Sequence, residues 1–221
     1  MTSNLPASIR ARLKQTAAAT NADFNLVLTR YALERLLYRL SVSQHASMFV
    51  LKGALLFHVW YDAPHRPTRD ADLLGFGSDD VPTMEAVFRE IASIAADDGI
   101  VFDPSSVGGS ETRQAANYGG VRIALRASLD GARIAVQIDI GFGDAVTPAH
   151  YPIKYPTILS DLPAAVLRAY PKATAIAEKL HAITALGLTN TRMKDFYDLV
   201  VLLKDKTLER PTSACSCRST E

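Results

Sequence analysis

An α+β fold is predicted for this 221-residue chain by three changes of hydrophobic period along it. Apolar residues recur at helical spacing near the N-terminus, alternate in the middle around an Asp-Gly turn, and return to helical spacing in the last third. With 48% of its residues apolar the chain can bury a sizeable core, in one domain or in two small ones. The expected organisation is a core with N-terminal helices over residues 1–160, a helical region over 161–206 and a disordered tail over 207–221.

Taken in order, residues 7–19 and 22–40 contain no Gly or Pro, and the second segment carries Phe24, Val27, Leu28, Tyr31 and Leu36 at helical spacing. Asn21 is placed to cap it. Arg30, Arg35 and Arg39 share that helix, either as a solvated or salt-bridged face or as phosphate ligands. Residues 48–51 read as a short buried strand ending at Gly53, followed by helix-forming composition over 54–60, a loop over 61–66 and a strand over 70–76. A helix over 82–96 puts Met84, Val87, Phe88, Ile91 and Ile94 on one side. Strands over 118–129 and 132–140 flank Asp130-Gly131, a two-residue hairpin turn. In the second strand Ile134, Val136, Ile138 and Ile140 take one face, and Arg133, Ala135, Gln137 and Asp139 take the other.

A formal net charge of +1 gives no bulk attraction to nucleic acid, so any polyanion site must be a local patch. Residues 1–15 lack the apolar centre of a signal peptide, and no apolar run approaches the ~20 residues that span a bilayer. A cytoplasmic protein without a membrane partner is expected. Cys215 and Cys217 stand one residue apart in the polar tail, too few for structural zinc and too close for an unstrained disulfide, so both read as free thiols.

The chemistry concentrates in Lys52-Gly53-Ala54 and in Asp70 and Asp72. Side chains two apart in a strand leave the same face, so the two aspartates project together. Carboxylates held that close repel unless a cation lies between them, and hard oxygen donors suit magnesium. A strand turning through Gly into a helix presents backbone N–H groups to phosphate. Asp139, at a strand end before Gly141-Phe142-Gly143, reads either as a third metal ligand or as a satisfied surface residue before a turn.

In the last third, charges sit where apolar residues belong. Over 172–186, Lys179 lies inside the stripe of Ile176, Leu180 and Ile183, while Glu178 and His181 fall outside it. Over 192–204, Phe196, Leu199, Leu202 and Leu203 face inward with Asp195 and Arg192 among them, and Lys194 and Asp198 fall nearer the solvent edge. Such residues imply a partner or a ligand, because an unpaired buried charge is costly. A structural Lys179–Asp195 ion pair and a nucleotide-binding role fit the periodicity equally.

The succession of Lys52-Gly53-Ala54, then Arg66, Thr68, Asp70 and Asp72, then Asp139, Glu178-Lys179 and Arg192-Met193-Lys194-Asp195-Phe196-Tyr197-Asp198 resembles the AbiEii/AbiGii-type toxin nucleotidyltransferases of the polymerase-beta-like superfamily, over residues 22–204. The resemblance implies a mixed β-sheet with packed helices and a helical C-terminal region closing the nucleotide cleft. It also implies a prokaryotic toxin with a cognate antitoxin encoded nearby. Such an enzyme takes a nucleoside triphosphate with Mg2+ and adds a nucleotide to RNA, in studied relatives to the acceptor end of tRNA. Carried over, Asp70, Asp72 and Asp139 match the metal ligands, and Asp70, Asp72, Lys179 and Asp195 match the residues of catalysis. Gly53, Ala54, Arg66, Thr68 and Lys179 match the nucleotide-binding positions. Ala54 departs from the second Gly or the Ser usual there, and the tail departs from the further helical sequence of many relatives. Two other readings remain: a small-molecule nucleotidyltransferase of the antibiotic-modifying kind, and a nucleotide- or partner-binding module with a vestigial site.

Overall fold

The computed structural model describes residues 4–61, 66–113, 119–143, 146, 149–187 and 193–205. Arg192, Cys215, Cys217 and the tail over 207–221 lie outside the described residues. The chain divides into two compact units, Met1–Pro171 and Lys172–Glu221.

The first unit opens with helix α1, Leu5–Ala19, whose first turn is closed by the Asn4 side chain accepting from the Ala7 N–H. Helix α2, Phe24–Val42, is capped by Asp23, which accepts from the Leu26 N–H at 2.9 Å. The expected cap Asn21 instead takes φ 51°, a left-handed conformation that Asn tolerates, and turns the chain between the helices. Strand β1, Phe49–Lys52, ends at Gly53, and the helical run predicted over 54–60 is a 3-10 turn over Gly53–Leu56 followed by a short helix α3, Phe57–Trp60. Strand β2 follows at Asp70–Gly75, then helix α4, Val81–Ser93, capped by Asp80.

Strands β3 (Val101–Arg113), β4 (Gly119–Leu129) and β5 (Ala132–Phe142) form an antiparallel meander. Asp130 and Gly131 between β4 and β5 both have positive φ, as a primed two-residue turn requires. β3 was not apparent in the sequence: Pro104 and the Gly108-Gly109 pair interrupt its alternation, and its pairing shifts register between Asp103 and Gly108. Two further strands, β6 (Tyr151–Lys154) and β7 (Val166–Ala169), are four residues each, too short for a period to show. Residues 161–171, assigned above to the helical C-terminal region, thus bring a strand to the sheet and belong to the first unit.

The seven strands form one mixed sheet in the order β3-β4-β5-β2-β1-β7-β6, parallel at β2–β5 and β1–β7 and antiparallel elsewhere. Ala71, Leu73, Ile134, Val136, Ile138 and Ile140 are buried in one core with α1, α2 and α4. The alternate residues of β2 and β5, Asp70, Asp72, Gln137 and Asp139, therefore stand on the opposite face. None of the described helices is long and apolar enough to cross a membrane.

The interior of α2 is ionic rather than solvated. Arg39 holds Asp98 with two bonds of 2.7 and 3.1 Å and donates to the Ile94 carbonyl, while Arg35 lies 3.3 Å from Asp98 and donates to the Pro163 carbonyl. Tyr31 Oη donates to the Asp98 carbonyl at 2.6 Å. Glu34 is also buried, accepting from the Ile158 N–H at 2.7 Å. These bonds tie α2 to the segment after α4 and to the chain between β6 and β7. Burial pushes the Glu34 carboxyl up to about 7, against the opposing pull of the Ile158 N–H and of Arg35.

The second unit contains helix α5, Lys172–Leu186, and helix α6, Met193–Lys204. Leu199 and Leu202 are buried as expected, but Leu180, Phe196 and Leu203, expected to face inward, are exposed. Asp198, expected at the solvent edge, is fully buried.

Removing Asp98 would strand two buried guanidinium groups, so Asp98→Ala is expected to lower unfolding stability by about 3–5 kcal/mol. Arg10→Ala, which removes only the surface bonds to Asp130, is expected to cost less than about 1 kcal/mol; denaturant titration checks both. Because the folded Glu34 pKa lies above its unfolded value, its contribution is complete below about pH 4.5 and is lost as pH rises through about 7. Glu34→Gln, which keeps an acceptor for Ile158, is expected to flatten the fall in stability across that window, seen in melts from pH 4.5 to 8.

Candidate active site

Strand pairing lines up the charged residues of the face opposite the helical core. Asp72 on β2 is the register partner of Lys52 on β1 and of Asp139 on β5, and Asp139 is the partner of Arg122 on β4. Register partners share a face, so Arg122, Asp139, Asp72 and Lys52 form one row across four strands. Asp70 sits two residues from Asp72 on the same face, opposite Gln137. The structure thus brings Asp70, Asp72 and Asp139 together, as the sequence led one to expect.

Two like charges opposite one another across a strand pair destabilise it. Here the row is flanked by cations. Arg122 grips Asp139 through both carboxylate oxygens, Nε to Oδ1 at 2.7 Å and Nη2 to Oδ2 at 2.8 Å. That bond, supported by the charges of Asp139, Asp70 and Asp72, holds the Arg122 guanidinium above its ordinary pKa despite partial burial. At the other end Lys52 is buried, with its ammonium 5.8 Å from the centre of the Tyr170 ring. Gln137 Nε2 lies 3.5 Å from both oxygens of Asp139.

Gly53 takes φ +71°, and a Cβ there would lie 2.0 Å from Asp72 Oδ2. Only glycine allows the turn after β1 to approach the carboxylate so closely. Ala54 is buried in the first turn beyond it. Thr68 Oγ1 donates to Asp70 Oδ1 at 2.5 Å and orients that carboxylate. Arg66, partly buried, lies in the bend leading to β2.

In the second unit Lys179 on α5 bonds to two acids of α6, Asp195 at 3.1 Å and Asp198 at 2.7 Å. Lys179 and Asp195 keep 11% and 14% of their side chains exposed, whereas Asp198 keeps none. The structure therefore joins the predicted Lys179–Asp195 pair and adds Asp198 as its deeper member.

Sequence reasoning named Lys52 without a role, set Asp198 near the solvent edge and passed over Arg122. Arg122 was within reach, because counting back from the Asp130-Gly131 turn sets it opposite Asp139. Lys52 carried a signal too, as a charge in a four-residue strand that is buried throughout. Asp198 gave none, since its depth depends on the rotation of α6.

Among the described residues no group of three His, Cys, Asp or Glu closes around a metal position. The reason lies in the row itself, where the oxygens of Asp139 are turned onto Arg122. The donor set is nonetheless all hard oxygen at Asp70 and Asp72, which fits a small divalent cation.

Comparison with known proteins gives the row a context. The chain is similar over its fold to JHP933 from Helicobacter pylori, with 16% identity and a TM-score of 0.55 over 82% of this chain and 67% of that one. A second H. pylori crystal structure, of a protein provisionally described as a nucleotidyltransferase, matches with 16% identity and a TM-score of 0.51 over 81% of this chain and 68% of that one. A search of curated proteins finds no match. The family model of the nucleotidyl transferase AbiEii toxin, a type IV toxin–antitoxin system, matches residues 35–218. That span takes in the carboxylate row and both C-terminal helices, and the chain belongs to the AbiEii toxin nucleotidyltransferase family.

Proposed function

We propose that this enzyme transfers a nucleotide from a nucleoside triphosphate to the 3′ hydroxyl of an RNA, the acceptor end of a tRNA, in the cytoplasm of a prokaryotic cell that also makes the cognate antitoxin. The observation that carries this reading is the row of Asp139, Asp72 and Lys52 with Asp70 beside it, on a sheet face free of the core helices.

Asp70 and Asp72, with Asp139 once it is released from Arg122, would hold Mg2+. Bound there, the ion would lower the pKa of the attacking hydroxyl and screen the phosphates from the carboxylates. Thr68 keeps Asp70 in one orientation, and the glycine turn at Gly53 and Ala54 brings backbone N–H groups to the triphosphate beside Asp72. Arg66, before β2, is assigned to the nucleotide phosphates. Lys179 is assigned to the charge that builds on the phosphates during in-line attack, and Asp195 to orienting Lys179 or accepting the hydroxyl proton. When the 3′ oxygen bonds to the α-phosphorus, the bond to the β-phosphate oxygen breaks and pyrophosphate leaves.

Each α-labelled triphosphate incubated with a tRNA pool is expected to yield labelled RNA. Asp70→Asn and Asp72→Asn are each expected to reduce that label by at least about 10³-fold without lowering the melting temperature. Label on an aminoglycoside instead of RNA would move the acceptor to a small molecule, and undiminished RNA labelling by both variants would remove the carboxylates from the reaction. Asp195→Asn leaves Lys179 bonded to Asp198, so the fold is expected to survive while turnover drops about 10²-fold. Unchanged turnover in that variant would make the Lys179–Asp195 pair purely structural.

A further inference from the structure

The three arginines of α2 divide into two kinds. Arg35 and Arg39 are consumed by the ionic interior, but Arg30 points elsewhere. Its Nε is buried without a hydrogen-bond partner, and among the described residues its guanidinium forms no ion pair. Arg30 lines a cavity of about 420 Å³ together with His58, Trp60, Tyr61, Lys154 and Thr157. That volume falls within the range of small-ligand sites. None of these residues belongs to the carboxylate row, and all lie in the first unit.

Lys154, on the edge strand β6, likewise has no hydrogen bond or ion pair among the described residues. Glu34, one helical turn from Arg30, is already committed to the Ile158 N–H and to Arg35. Among the described residues the cavity is lined by two cations and no carboxylate. Burial together with the neighbouring Arg30 charge depresses His58 to about 4, which leaves the imidazole neutral and able to donate one N–H. Arg30 is partly buried and its charge acts on Glu34 only through space, and a planar fork of donors matches a phosphate. Beside these cations stand two aromatic rings. Trp60 is fixed by its Nε1–H donating to Tyr151 Oη at 3.1 Å and packs at 5.7 Å from Phe57, and Tyr61 packs on the same Phe57 at 5.9 Å. Cations next to rigid aromatic faces are the elements of a site for a phosphate with an attached base.

We propose that this cavity binds one nucleotide unit, its phosphate on Arg30 and Lys154 and its base against Trp60 or Tyr61. The nucleotide is supplied either by an RNA strand or by a free mononucleotide, since the phosphate and base are common to both. No residue of the carboxylate row lines the cavity, and its assignment does not depend on the acceptor being RNA.

Trp60 is the chain's single tryptophan and lines the cavity, so its selectively excited fluorescence reports on occupancy there. Titration of the full chain with a five-nucleotide single-stranded RNA, and separately with adenosine monophosphate, is expected to quench that emission saturably. Saturation by the RNA but not by the mononucleotide identifies a strand site; saturation by the mononucleotide identifies a free-nucleotide site. Arg30→Gln with Lys154→Gln is expected to weaken the binding by at least about tenfold. Lys154→Gln alone, on an exposed residue, should still weaken it about threefold if the double variant folds poorly. The His58 ring, followed by NMR, should move back towards its ordinary pKa when the anion is bound. Absence of quenching by both probes, or equal binding by wild type and Lys154→Gln, overturns the proposal. Asp70→Asn is expected to keep the quench while losing transfer, so this assignment and the transfer reading can fail separately.

Discussion

The parallel pairing of β2 with β5 is the constraint on which the site depends. It sets Asp72 against Asp139, two like charges on adjacent strands, and a sheet alone would not favour that register over a neighbouring one. The apolar face decides it. Ala71 and Leu73 must lie in the same layer as Ile138 and Ile140, and sliding either strand by one residue would turn those side chains away from the helices. Hydrophobic burial on one side of the sheet thus enforces electrostatic tension on the other. Arg122 and Lys52, at the two ends of the row, reduce that tension without abolishing it.

The ionic interior under α2 follows the opposite logic. Arg39, Arg35 and Asp98 are removed from water and satisfied by one another and by backbone carbonyls at Ile94 and Pro163. Such an arrangement adds little net stability over a well-packed apolar core, but it tolerates few alternative packings, because any shift leaves a charge unmatched. It pins α2 to segments distant in the chain and so keeps the helical layer in place beneath the β2–β5 pair. One face of the sheet thus holds the fold together, and the other carries the row of charge.

Much of this was legible in the sequence for identifiable reasons. Where alternation was clean, as at Ile134, Val136, Ile138 and Ile140, the face of each residue followed directly, and with it the company that Asp139 keeps. The spacing of Asp70 and Asp72 likewise determined their common direction. Short or interrupted strands were opaque: β6 and β7 offer four residues apiece, and β3 is broken by Pro104 and a register shift. The C-terminal helices were read with a rotational error. Leu180, Phe196 and Leu203 were assigned inward because each has apolar neighbours at helical spacing, yet the stripe on a two-helix contact is narrow and centres on Leu199, Leu202 and Asp198. Charge alone could not reveal that Asp198 is the deeper acid, since sequence carries no measure of helix rotation finer than one residue.

One consequence belongs to the turn after β1. A position where a single methyl group would collide with Asp72 admits no silent drift: every codon change that alters Gly53 must displace either the turn or the carboxylate. Under the transfer reading proposed above, that makes residue 53 a short genetic route to an inert protein. Cells that outgrow a toxin of this kind should carry lesions there far more often than at the apolar positions of the strand before it.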